Sequence, residues 1–536
     1  MEMQQMRSGT RPQRECRKEH PRGGTSPSCR RNPKPSRARE DVNCEYCVLI
    51  MMFRATGICM LGSMEAATDL RRGGAGRPLI LGIGLAAMLT IGAAASRADD
   101  LPLRRITIDA TVTVGALRPL SGIQAAADLD GTALYRAARI DLIRTDDVLA
   151  SAASEAIFPD MGADVENPKS YHFAPTDRVI ASIMAAGAEP LFRIGSIVGA
   201  TADPPADIDK FAQIARHVVL HYNQGWNKGF RHAIRYWEIW NEPDSKLLWR
   251  GSPQEYYALY DKTARAVQSA DDSALIGGPA LSKPLIAGAY REQFLDFVRV
   301  NRLPLDFFSW HFFTVDSNDP YAFVTIAREL RSMLDARGLG STRNVLDGWN
   351  VDPSEQDMSK AARASFTASA LLYMLGGPID AQSFYRVDAQ LLGNRGVPDE
   401  VGHALSAFGA LKSTPILVRT AGGDEAGFAV AAGRSADRRM VQILISNYQI
   451  AAKYLRPRDN WDTTLPERRT LQYHDNGGYD ATINLPAAGK YQVKRYRISE
   501  SSNFALVDQS LQIGPSIHLQ AALPPPGVEL IVITAN

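Results

Sequence analysis

Residues 234–244 read "IRYWEIWNEPD". The first seven are aromatic or β-branched apart from Arg235 and Glu238, which is strand composition. Pro243 cannot donate a ladder hydrogen bond, so the strand stops there and leaves Asn241 and Glu242 at its C-terminal end. Similar segments recur along the chain. "ARIDLIRTD", "AEPLFRIGS", "ALIGGPA", "LDFFSWHFF", "RNVLDGWN" and "AQSFYRV" read as strands, and "RRITIDATV" adds one near the start. Amphipathic stretches separate them: "APTDRVIASIMAAG", with Thr176 or Asp177 as cap and Gly187 as stop, then "DIDKFAQIARHVVLHYNQ", "SPQEYYALYDKTARAVQSA", "YREQFLDFVRVN", "YAFVTIARELRSMLDARG" and "KAARASFTASALLYMLGG". Close to eight strand–helix units over roughly 250–300 residues predict an α/β chain with a closed (β/α)8 TIM barrel. An open doubly wound sheet is the alternative, but no Gly-rich nucleotide loop follows an early strand.

In such a barrel, catalytic side chains sit at the C-terminal ends of strands. Glu242 is therefore expected at the rim, with Trp237, Trp240 and Trp249 around it. Apolar neighbours favour the protonated form of a carboxyl, which a general acid for a glycosidic oxygen requires. Aromatic faces also suit the apolar faces of sugar rings. The bland alternative is that Glu242 only caps the next helix. Glu238 is expected inside the barrel wall, in a structural ion pair.

The formal net charge of +2 gives no pull toward nucleic acid. All five cysteines (Cys16, Cys29, Cys44, Cys47, Cys59) precede residue 60, so the main body has neither a disulfide framework nor a thiolate metal site. Neither a metal nor a cofactor is expected. Residues 71–100 read "RRGGAGRPLILGIGLAAMLTIGAAASRADD": a basic start, an apolar stretch, then small residues at a cleavage site after about Ala95 or Ala98. This predicts a signal peptide and a periplasmic or secreted protein. An uncleaved segment would be a membrane anchor. Because a signal belongs at an N-terminus, Met60 or Met64 is the expected start.

The expected domains are a leader with signal (1–98), a catalytic barrel (99–412) and an all-β sandwich (413–536) built from "GFAVAAG", "RRMVQILISNY", "YDATINLP", "KYQVKRYRIS" and "VELIVITA". The strand near residue 105 is a candidate to join the sandwich.

"WEIWNEPD" resembles the acid/base motif of glycoside hydrolase family 39, retaining (β/α)8 glycosidases that include β-xylosidases, α-iduronidases and exopolysaccharide endoglycosidases. "YHFAPTDRVIASIMAAGAEPLFRIG", "LIGGPA", "LPLDFFSWHFFT" and "KYQVKRYRISESSNF" are similar to further family segments, so the likeness covers most of residues 105–500. The resemblance implies Glu242 as acid/base, Asn241 on the sugar 2-hydroxyl, Arg144 steadying the nucleophile and His311 lining the site, with Phe313 replacing a tyrosine. Trp349 and Tyr385 join the expected substrate-binding residues. A core histidine is the bland alternative for His311, a barrel-end ion pair for Arg144.

A retaining glycosidase needs a second carboxylate about 5 Å from the first. The family places a glutamate before the Trp-Asn pair; in "VLDGWN", Gly348 stands there and Asp347 is one position early. Strand side chains alternate faces, so Asp347 is expected to point away unless a bulge at Gly348 turns it inward. Asp146, two residues beyond Arg144, is the other candidate, as base for an inverting reaction or as partner of Arg144. Glu355 is more remote. Three readings stay open: an active glycosidase using Asp347 or Asp146, a glycan-binding protein derived from a glycosidase, and an enzyme assisted by the substrate's own group that needs only Glu242. The partner in each is carbohydrate.

Overall fold

The computed structural model describes residues 101–536 apart from 126–131, 146–155, 196, 199–200, 287, 315–317, 352–357, 386–397 and 451–476. The leader, the signal segment, Asp146 and Glu355 lie outside the described residues.

The first strand, β1 (Leu103–Ala116), does not enter the barrel. The barrel is closed by eight parallel strands: β2 (Gly122–Ala125), β3 (Leu142–Thr145), β4 (Glu189–Arg193), β5 (Tyr236–Glu238), β6 (Leu275–Leu281), β7 (Phe307–Phe313), β8 (Arg343–Asn350) and β9 (Ala381–Tyr385). The segment "RRITIDATV", counted above toward the barrel, is thus replaced by "GIQA" as the opening barrel strand. Between the strands run α1 (Thr132–Ala137), α2 (Ala174–Ala186), α3 (Ile208–Gln224), α4 (Pro253–Ala270), α5 (Phe294–Asn301), α6 (Ala322–Ala336), α7 (Lys360–Gly376) and α8 (Glu400–Ala410).

Local chemistry sets the helix ends. Ser252 and Glu255 form a reciprocal capping box on α4, and Asp207 caps α3 through Lys210 N–H. Gly187 ends α2 in the left-handed region, as expected, but neither Thr176 nor Asp177 caps it. Both lie inside the helix, whose start is set by Pro175 in its first turn.

Strand alternation builds the barrel interior in layers. Leu142, Leu191, Tyr236, Phe307, Val345 and Ala381 pack together at the bottom. Two residues further along, β3, β5, β7 and β8 contribute Arg144, Glu238, Ser309 and Asp347, all with essentially no solvent exposure. Trp237, Trp249, Trp310 and Trp349 belong instead to the core between strands and helices.

The second domain is a sheet in the order β1, β10 (Ile416–Ala421), β11 (Phe428–Arg434), β12 (Met440–Asn447), β15 (Gly527–Ala535), β13 (Gly478–Ser499), β14 (Ser502–Ala522). The first part of β13 runs parallel to β1 and its last part antiparallel to β15, with a register break between Asn484 and Gly489. The sheet therefore closes into a six-stranded, sandwich-like ring, and β14 is its outer edge. Its interior holds Ile106, Ile108, Val441, Tyr479 and Ile531. Outside, it packs on α7: Phe366 meets Tyr448 edge to face at 5.5 Å, and Ser369 Oγ donates to Gly427 O at 2.8 Å.

Candidate active site

Glu242 does not sit on a strand. β5 ends at Glu238, and residues 239–244 turn sharply, with Trp240 at φ +72° and Glu242 at φ +46°. Bulky residues rarely adopt this left-handed conformation, and each such residue costs about 1–3 kcal/mol. Tertiary contacts hold the turn. Glu242 N–H donates to Ala280 O at 3.1 Å. The Asp244 carboxylate accepts from Ser282 N–H, Ser282 Oγ–H and Lys283 N–H at 3.0, 3.0 and 2.8 Å. The turn is thus clamped to the end of β6. Burial and the neighbouring Glu242 raise the Asp244 carboxyl above its ordinary range, against those three hydrogen bonds.

The Glu242 side chain is 19% exposed, and its Oε1 lies 2.6 Å from His311 Nδ1. The three tryptophans expected around it are elsewhere. Trp240 and Trp249 stack edge to face at 5.0 Å and Trp237 packs on Phe192, all three buried in the strand–helix core. Alternation explains this: Glu238 turns inward, so its neighbour Trp237 turns outward. At the rim, the aromatic wall comes from Phe313 and Tyr385, edge to face at 5.3 Å and both half-buried.

Beneath the rim lies a buried polar cluster. Arg144 donates from Nε to Glu238 Oε2 at 2.8 Å and approaches the same oxygen with Nη2 at 2.6 Å. Its Nη2 also donates to Asn241 Oδ1 at 2.8 Å, which fixes the residue beside Glu242. Arg144 Nε lies 3.0 Å from Asp347 Oδ2, and His311 Nε2 lies 3.5 Å from Asp347 Oδ1. Glu238 and Asp347 thus share the Arg144 Nε, and Ser309 Oγ accepts from Ala280 N–H at 2.9 Å. Burial opposes ionisation of Glu238, but Arg144, helped by the polar side chains of Asp347 and Ser309, outweighs it and holds the carboxyl down at about 2. Asp347 goes the other way: burial, then the charge on Glu238, push it well above the aspartate range despite Arg144.

The structure thus brings Arg144, Asn241, Glu242, His311 and Asp347 together and keeps Tyr385 at the rim. It corrects two expectations. Trp349 cannot bind substrate: it is fully buried, edge to face with Phe323 and Phe384 at 4.9 Å each. Asp347 does turn inward, but to the layer below the rim, where it has no exposed atom. The cause is a bulge. Trp310 pairs with Leu346 and His311 with Gly348, so β8 carries an extra residue and both Asp347 and Gly348 face the interior. The space over Gly348 is filled by His311: a Cβ there would lie 2.7 Å from Cδ2 and 3.0 Å from Nε2. Ser309 and Asp244 were missed. Ser309 was legible as the inward residue one period before His311, whereas nothing in the sequence marks Asp244 as a clamp. Among the described residues no cluster of His, Cys, Asp or Glu is arranged to hold a metal ion.

The profile of Glycosyl hydrolases family 39 matches residues 98–337. A β-xylosidase of Geobacillus stearothermophilus is 31% identical over 193 residues, 32% of this chain and 37% of that protein. A β-xylosidase of Caldicellulosiruptor saccharolyticus is 27% identical over 251 residues, 40% of this chain and 48% of that protein. The chain therefore spans less than half the length of these curated relatives. The crystal structure of a glucosidase from Croceicoccus marinus is 32% identical, with a TM-score of 0.75 over 81% of this chain and 99% of that one. With the family profile matched and a relative of this identity covered almost end to end, the chain belongs to glycoside hydrolase family 39.

Proposed function

We propose that the protein is a glycosidase cleaving O-glycosidic bonds of an oligo- or polysaccharide, with Glu242 as the group that protonates the leaving oxygen. The observation that carries this reading is the Glu242 carboxyl itself. It is partly exposed on a strained turn at the barrel rim, bonded to His311, with Asn241 locked beside it by a buried arginine. A general acid must be both reachable and held in place. Asn241 is placed to meet a sugar hydroxyl next to the scissile bond, and Phe313 and Tyr385 offer apolar faces to the ring. The relatives' names support xylosides and glucosides as first substrates. The signal-like segment supports export; N-terminal sequencing of the native protein tests it, and an intact residue 1–50 peptide would contradict it.

A second reading, a glycan-binding protein with little turnover, is favoured by one feature. Glu238 and Asp347 are both fully buried, so neither faces the rim as a nucleophile. Release of 4-nitrophenol and of reducing sugar, measured beside calorimetric glycan binding, separates the two. Turnover abolished by Glu242→Gln supports the glycosidase; tight binding without turnover overturns it. The anomeric form of the first product tells retention from inversion.

A further inference from the structure

We infer that Asp347 is a positioning residue: facing His311 from below, it sets the tautomer of that ring and so presents Glu242 in its proton-carrying form. The inference rests on the glycosidase reading and gives Asp347 a role other than attack on the sugar.

The argument is one of donors and acceptors. Glu238 Oε2 and Asp347 Oδ2 lie 2.8 and 3.0 Å from the same Arg144 Nε, and both side chains are fully buried. Two buried carboxylates this close on one guanidinium N–H do not both ionise, so one of them carries a proton. Glu238 takes both close contacts from Arg144, at 2.8 and 2.6 Å, whereas Asp347 has a single approach at 3.0 Å. Glu238 is therefore the anion, and Asp347 carries the proton. Whichever oxygen carries that proton, Asp347 Oδ1 keeps a lone pair. It faces His311 Nε2 at 3.5 Å, and among the described residues both atoms are buried without another hydrogen-bond partner. A modest shortening satisfies both, as buried polar atoms require. Nε2 then carries the hydrogen, and the neutral ring leaves Nδ1 bare. Glu242 Oε1, 2.6 Å away, must supply the proton of that bond.

Among the described residues, the charged groups around this cluster are Arg144 on β3, Glu238 on β5, Asp347 on β8, and Glu242 and Asp244 after β5; Arg193 is buried on β4. Gly348 makes the arrangement possible, because its missing Cβ is the space against which the His311 ring lies.

The test uses the full chain labelled with 15N-histidine, with the His311 signal identified by its loss in His311→Gln. Wild type should show the tautomer with hydrogen on Nε2 and a bare Nδ1. Asp347→Asn should keep it, since its carbonyl oxygen can accept from Nε2. Asp347→Leu should lose it. With 4-nitrophenyl xyloside and glucoside, Asp347→Leu should lower kcat by about tenfold or more with little change in KM, and Asp347→Asn should recover most of that loss. Hydrogen on Nδ1, or a doubly protonated ring, in wild type overturns the inference. So does an Asp347→Asn as impaired as Asp347→Leu, the result expected if Asp347 attacks the sugar or activates water. If Asp347→Leu does not fold, wild type and Asp347→Asn still decide. A wild type without turnover on any glycoside sinks the proposed function, yet leaves the tautomer as a separate outcome.

Discussion

Glu242 combines a backbone conformation that costs energy with a carboxyl that is neither buried nor free. Replacing it by glutamine preserves the shape and removes the transferable proton. With poor leaving groups the rate should fall by orders of magnitude, each tenfold corresponding to about 1.4 kcal/mol. Aryl glycosides with acidic leaving groups should lose less in bond cleavage; equal losses across a leaving-group series would contradict the assignment. Asp347 makes a prediction about stability. Its folded carboxyl lies well above the aspartate range, because burial and Glu238 disfavour its charge. A raised acid stabilises the fold below its unfolded value and loses that contribution as pH rises toward the folded one. Stability should therefore fall by ~1.4 kcal/mol per pH unit above about pH 4 from this group. Asp347→Asn removes the titration, so its melting temperature should gain on wild type as pH rises through this range. A constant gap would show that Asp347 does not hold its proton. Glu238 acts oppositely: its contribution is present above about 4.3 and is lost as pH falls toward its folded value.

The bulge in β8 is an element-scale device. It places two consecutive side-chain positions on the inner face, Asp347 low and Gly348 at the level of His311. Restoring the glutamate that the family resemblance expects at position 348 therefore does not simply fill a hole. Its Cβ meets the imidazole at 2.7 Å, so Gly348→Glu should cost about 1–3 kcal/mol and pull His311 from Glu242. Lower thermal stability with no gain in turnover is expected; a stable, faster, retaining variant would show that His311 swings aside. The turn after β5 depends on the Asp244 clamp to β6. Asp244→Ala leaves amides without their acceptor, a loss of about 1–3 kcal/mol. Glu242 should then wander, lowering kcat more than it raises KM. Unchanged kcat would mean that the Ala280 bond alone holds the turn.

At the scale of the molecule, the barrel and the closed sheet share one apolar core. Phe366 and Ala370 of α7 are buried in the same cluster as Ala429, Leu444, Tyr448 and Leu530 of the sheet. Ser446 Oγ donates to Ser365 O at 2.8 Å inside it. A fragment of residues 117–414 should expose this face of α7 and aggregate. A soluble fragment with one cooperative unfolding transition would show that the barrel stands alone. β1 ties the domains along the chain as well, since the sheet takes its strand from ahead of the barrel and the rest from behind it.

Much of this was legible in local patterning. Seven of the eight barrel strands coincide with short apolar segments of the sequence, and Glu189–Arg193, Phe307–Phe313 and Arg343–Asn350 fall within the stretches that suggested them. Helices α3, α4, α6 and α7 follow the 3.6-residue period. Asn-Glu-Pro marked the rim, although β5 ends at Glu238, before the proline can act on the ladder. What depended on neighbours was not legible. "GIQA" is too short for periodicity, and the destination of β1 is decided by pairing with strands more than 300 positions later. The inward or outward sense of Trp237, Trp349 and Asp347 follows from register against adjacent strands, and one extra residue in β8 reverses an alternation argument without altering any local pattern. The sequence by itself determined most of the segments that become strands and helices, and that a glutamate follows the fourth barrel strand at the rim. Only the tertiary structure decided that His311 covers Gly348 and that Asp347 lies beneath it, because side-chain facing in a sheet is a property of pairing rather than of the strand alone.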